Sequence, residues 1–300
     1  MLGYLYVAAA LAAGLTKGWC GKKTSGIITG MRPTLLFNAV RMLLCIPIGF
    51  LFVWASDSVQ NLIAEPIIYL IAAVSGISTA LFVVTWIGCV RWGAYMMVDV
   101  FVTLGIMIPV LLCTLLFDES LRTAHLVGLV LLVFAAYMMC TYNRSLHREG
   151  SRLRIKQLLL LFMCGASNGI TQFSQKWLRH VSNTDVSVFN FYTYVFASAV
   201  LLILFFLFPK ENSTQKLAQN DMRRLALFVT LMSACLFLHS FCSTAAAGYL
   251  SSAQLYPLMQ GSALILSMLM SAVCFGEHIN VRCAIGIASS FAAMLCIELL

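Results

Sequence analysis

Ten stretches of this chain are apolar for long enough to cross a bilayer, and little lies between them. They are Leu2–Gly21, Thr34–Trp54, Ile67–Ile87, Ala94–Leu116, Ala124–Tyr142, Lys156–Lys176, Val186–Phe208, Leu225–Ala247, Ser252–Phe275 and Val281–Leu299. A spanning helix needs about 20 mostly apolar residues. Inside lipid each backbone polar group must be satisfied within the segment, so runs of this length are read as helices. Composition agrees: 61% of residues are hydrophobic and 10% charged, whereas soluble domains carry about 25% charge. The expected fold class is an all-α membrane protein with ten transmembrane helices, multi-pass in the cell membrane. The first run begins at Leu2 without a basic leader or small-residue cleavage motif and is expected to stay in place.

The two long polar connectors are Thr141–Lys156, strongly basic and central, and Pro209–Arg224. A charged linker at mid-chain prompts a search for a repeat. "LLFDES" closes the fourth run and "VCFGEH" the ninth, aligning Glu119 with Glu277. Phe37-Asn38 and Phe189-Asn190 open the second and seventh runs, and Gly14–Thr16 and Gly169–Thr171 lie in the first and sixth. The three pairs keep their order at a spacing of about 155 residues. This divides the chain into a first five-helix repeat (1–142), a basic linker (143–155) and a second five-helix repeat (156–300). Five is odd, so the second repeat enters the membrane from the opposite side. Inverted repeats are the architecture of many secondary transporters.

"FNAVRMLLCIPIGF" and "AAAGYLSSAQLYPLMQGSALILSMLMSAVCFGEHI", with five plus five helices, resemble the drug/metabolite transporter superfamily and its EamA-type ten-helix members. Gly248, Ser252, Pro257, Gly276 and Glu277 fit the pattern in the second half. The first half departs from it: Asp118 stands where the family has Gly, and the family proline is absent. In register, Asp99 takes the place of Pro257. The resemblance implies that this region faces a central cavity, where a proline frees a backbone carbonyl.

Helix geometry places three ionisable residues in one layer. Asp99 is about 8 Å, Arg41 about 10 Å and Lys17 about 6 Å inside the same membrane edge. A charge in mid-membrane costs about 3 kcal/mol on insertion scales, so partners are expected. Two readings fit: an Arg41–Asp99 salt bridge locking two helices, or a cluster lining the substrate path. Lys17 also reads as able to snorkel to the interface. The layer is net positive, which favours a carboxylate- or phosphate-bearing solute over a bare cation.

Trp86, Trp92 and Tyr95 flank one turn, and Phe189, Tyr192 and Tyr194 open the seventh run. Their position at helix ends reads as an interfacial belt. The alternative is an aromatic wall for a cation, with Asp99 as counter-charge. Asn168, Thr171, Gln172, His239, Ser240, Gln254 and Gln260 are polar residues inside runs, and hydrogen bonding between helices is their default role. Gln254 and Gln260 flank Pro257 by one turn and are candidates for the cavity. His239 is a candidate for a coupling proton. The candidate substrate or coupling residues are therefore Lys17, Arg41, Trp86, Tyr95, Asp99, Asn168, Gln172, Tyr192, His239, Gln254, Pro257 and Gln260.

The cysteines are scattered without CxxC or zinc spacing, so no metal or other cofactor is expected. HExxH and GxGD are absent, and Ser75-Gly76 lacks the glycine of a GxSG protease motif. Neither an enzyme nor a nucleic-acid partner is expected. The connectors after odd-numbered runs hold most of the Lys and Arg, so the positive-inside rule puts both termini outside, whereas the family resemblance implies both inside. Either way the termini share a face. The expectation is a secondary transporter for a small polar metabolite, coupled to a proton or another ion, acting as monomer or homodimer. A channel or scaffold on the same repeat is the alternative.

Overall fold

The computed structural model describes residues 1–28, 30–63, 65–93, 95–117, 123–146, 154–182, 184–209, 219–246, 248–250, 257–276 and 279–299. The described residues form no strand, and the described part of each of the ten apolar runs falls on a helix. The helices are α1 (Leu2–Ser25), α2 (Met31–Ala55), α3 (Pro66–Trp92), α4 in two segments (Tyr95–Leu104 and Met107–Phe117), α5 (Thr123–Leu146), α6 (Ile155–Val181), α7 (Val186–Leu207), α8 (Gln219–Ala246), α9 and α10 (Val281–Leu299). The α9 helix opens with a π-helical turn, Pro257–Gly261, and continues as Ser262–Phe275. Among the described residues, six segments are long and apolar enough by themselves to cross a membrane, and shorter apolar helices accompany them. Large apolar side chains such as Trp54, Leu115, Phe206 and Val273 project outward, as lipid contact requires. The chain is a multi-pass membrane protein.

The α1 and α6 helices are not among the six, for a local reason. Lys17, Lys22 and Lys23 interrupt α1, and Asn168, Gln172, Gln175 and Lys176 stud α6. Of these, Lys17 and the four α6 residues line an internal cavity. Their polarity belongs to the cavity wall and not to the lipid face.

Packing is dominated by contacts between the first five helices and the last five. The α1 helix packs on α8, α3 on α6, α2 on α7 and α5 on α10, while α4 packs on α6 and α9 on α1. Adding or subtracting five maps every one of these pairs onto another pair or onto itself.

The break in α4 has two causes. Pro109 has no N–H to offer the Gly105 carbonyl and its ring clashes with an ideal preceding turn. Tighter bonds replace the ladder there: Gly105 N donates to Val102 O at 3.1 Å, Ile106 N to Thr103 O at 3.0 Å and Ile108 N to Gly105 O at 3.0 Å. At the same point α6 presents Gly165 and Gly169, and the backbones touch. A methyl on Gly105 would strike the Gly165 carbonyl, and one on Gly169 the Gly105 carbonyl. Pro109 thus distorts the fourth helix ten residues beyond Asp99.

Polar clamps tie the helix ends. Lys22 Nζ donates to the Val90 and Gly93 carbonyls at 3.0 and 3.2 Å, satisfying acceptors at the end of α3. Arg91 donates to Ser25 O at 3.3 Å and to Thr34 Oγ1 at 3.0 Å, so the ends of α1, α2 and α3 are stapled together. At the opposite end Asp185 caps α7 through Ser187 N at 2.9 Å and accepts from Ser58 Oγ, beyond α2, at 2.6 Å. Burial alone would raise the Asp185 pKa, but the bonds from Ser58 and Ser187 outweigh it and hold the carboxyl below its usual range.

Candidate functional site

A cavity of about 210 Å³ lies between the two halves of the chain, walled by α1, α2, α3 and α4 on one side and α6, α7, α8 and α9 on the other. Lys17, Arg41, Trp86, Tyr95, Asp99, Asn168, Gln172, His239 and Gln260 all line it. Nine of the residues singled out in the sequence are therefore brought together. Tyr192 is not: its hydroxyl donates to Leu62 O at 2.7 Å and its ring stands edge-on to Tyr69, away from the cavity. Gln254 falls outside the described residues. Pro257 opens the π-helical turn, and its side chain is likewise outside the description.

The aromatic residues correct the belt reading. Trp86 and Tyr95 are buried, with ring centroids 6.1 Å apart and planes at 90°. Phe275 lies 5.6 Å from Tyr95. Trp86 and Tyr95 form an aromatic floor at that end of the cavity, with Phe275 packed against Tyr95. Two glycines of α1 make this possible: the Tyr95 hydroxyl fills the space beside Gly18, and the Trp86 ring fills the space beside Gly21. Lipid-facing belt residues would point the other way.

Arg41 is anchored through its backbone. Its carbonyl accepts from Ser233 Oγ at 2.9 Å, which fixes α2 against α8. Its side chain is 2% exposed and Nε has no hydrogen-bond partner. Among the described residues the guanidinium forms no ion pair, so the expected Arg41–Asp99 bridge is not made. Lys17 feels the repulsion of Arg41 and the attraction of Asp99, which places the three charges in one electrostatic neighbourhood. Lys17 does not snorkel to the interface; it faces the cavity.

The rest of the wall is held by side chains bonded to backbone. His239 Nδ1 lies 2.8 Å from Ala10 O, with Gly14 beside the ring. Asn168 Nδ2 reaches Val102 O at 3.4 Å, at the carbonyl row disturbed by the α4 break. Tyr194 OH donates to Leu236 O at 3.3 Å, and Ser240 Oγ donates to Asn190 Oδ1 at 2.6 Å. Thr79, Lys176 and Tyr194 also line the cavity. Thr79 looks like helix packing in the sequence, Tyr194 like a belt residue at a helix end and Lys176 like a membrane-edge charge.

Comparison with known proteins agrees with this arrangement. Residues 155–299 match the model of the EamA-like transporter family. The likeness to the drug/metabolite transporter superfamily therefore rests on the second half of the chain. One solved crystal structure of a protein is similar over 99% of this chain and 95% of its own, at 15% identity and a TM-score of 0.63, a likeness of fold alone. No curated protein matches the chain. The EamA-like match spans α6 to α10, so the matched half supplies α6, α7, α8 and α9 of the cavity wall.

Proposed function

We propose that the chain is a secondary-active transporter that moves a small polar solute by alternating access between two inverted five-helix halves. The observation that carries the reading is the cavity itself, enclosed between the halves and lined by ionisable side chains that lipid would otherwise exclude. Two further features support the inverted repeat. The principal helix contacts exchange with one another when each helix is renumbered by five. Asn38 and Asn190, the matched asparagines, make the same local bond: Nδ2 to Thr34 O at 2.9 Å in one and to Val186 O at 2.9 Å in the other. Under this reading the floor of Trp86 and Tyr95 is one of two ends that open in turn. The positive-inside rule puts the Lys22 and Arg91 end in the cytoplasm.

Counterflow in proteoliposomes tests the proposal. A carrier accelerates entry of labelled solute when unlabelled solute is present on the far side. A channel on the same fold gives flux without that acceleration, and a scaffold gives none.

A further inference from the structure

Resting on the transporter reading, we infer that the solute is a small organic anion whose carboxylate or phosphate is held by Arg41 with the support of Lys17. A buried guanidinium is costly without partners, and a charge inside a protein normally finds a counter-charge or a full set of acceptors. Arg41 has neither among the described residues: it is 2% exposed, its Nε is unsatisfied, and it borders a cavity. Its backbone is pinned by Ser233 at 2.9 Å, so the head group is presented from a fixed point. Lys17, from α1, borders the same cavity and lies within electrostatic reach of Arg41. Two cations repelling each other in low dielectric are stable together when an anion sits between them. The acid lining this cavity, Asp99, is within reach of Lys17 and leaves the group of three at net positive charge. A planar guanidinium suits two-point contact with carboxylate or phosphate oxygens. Gln172, which lines the same cavity and whose Oε1 is buried without a partner, offers an acceptor for a hydroxyl or amide elsewhere on the same solute.

The test is ligand binding by purified protein in detergent, followed by melting temperature and by calorimetry. The probes are lactate, succinate and glycerol 3-phosphate, with glycerol as neutral and choline as cationic control. At least one anion is expected to bind and to raise the melting temperature, and neither control is. Arg41→Gln is expected to weaken anion binding by about 30-fold or more, Lys17→Gln to weaken it less, and Arg41→Lys to retain part of it. Binding of a control as tightly as the anions, no binding by any anion, or full anion binding by a folded Arg41→Gln variant would each overturn the inference. Counterflow separates this from the transporter reading. Arg41-dependent anion binding without counterflow sinks transport and leaves the site. Counterflow of glycerol or choline that survives Arg41→Gln sinks the anion site and leaves transport.

Discussion

His239 Nδ1 lies 2.8 Å from the carbonyl oxygen of Ala10, tying α8 to α1 across the seam between the two halves. A carbonyl only accepts, so Nδ1 carries the proton of this bond. A Cβ at Gly14 would sit 3.2 Å from that nitrogen. Gly14→Val is therefore expected to push the ring off Ala10, cost about 1–2 kcal/mol through the lost buried bond, and slow transport. His239→Phe should show the same stability loss. A Gly14→Val protein with unchanged melting temperature and transport rate would mean that the seam tolerates the displacement.

Asp99 lines the cavity and no ion pair joins it to Arg41. Asp99→Asn is expected to keep the melting temperature within a few degrees and to remove transport or its dependence on an ion gradient. Since Arg41 takes no support from Asp99 as a direct partner, adding Arg41→Gln should not rescue transport. Rescue by the double substitution would restore the salt-bridge reading. The measurement is transport rate and melting temperature for both single variants and the double.

The α4–α6 crossing rests on glycine. Alanine at Gly105 or Gly165 would place a methyl against a carbonyl of the other helix, and overpacking of this kind costs about 1–3 kcal/mol. Both variants are expected to melt lower, and the double variant less than additively, because one separation of the helices relieves both clashes. Thermal unfolding in detergent reads this directly.

Asp185 predicts an acid sensitivity. Hydrogen bonds from Ser58 and Ser187 hold its carboxyl below the usual range against the effect of burial. A folded pKa lower than the unfolded one means that the carboxylate contributes fully above the ordinary value of about 4. That contribution is lost as pH falls below there and through the depressed folded pKa. Asp185→Asn should flatten the acid limb of a plot of melting temperature against pH. At neutral pH it should change stability modestly, because asparagine is also a good helix cap. An unchanged acid limb would remove Asp185 from the account.

The helices were legible because lipid imposes length and apolarity on each one separately, and Thr34–Trp54 or Val186–Phe208 carries that signal alone. Helix depth was legible too: a rise of 1.5 Å per residue put Lys17, Arg41 and Asp99 in one layer, and they border one cavity. Lateral packing was not legible. Nothing local distinguishes the inward Trp86 from a belt tryptophan until Gly21 is seen to make room for it. The register of Asp99 with Pro257 gives no sign of the α4 break. Pro109, four residues after Gly105, was the available signal. Lys176 was set aside as an edge charge, although Gln172 and Gln175 place further polar groups on the same helix.

The central claim is that one cavity opens to each side of the membrane in turn. The most direct measurement replaces the native cysteines, introduces a single cysteine at Thr79 or at Ser267, and labels it with a membrane-impermeant thiol reagent from each face separately. Both positions line the cavity, one from each half. The account predicts labelling from either face, with solute shifting the two rates in opposite directions. Labelling from one face only, at a rate indifferent to solute, would contradict it.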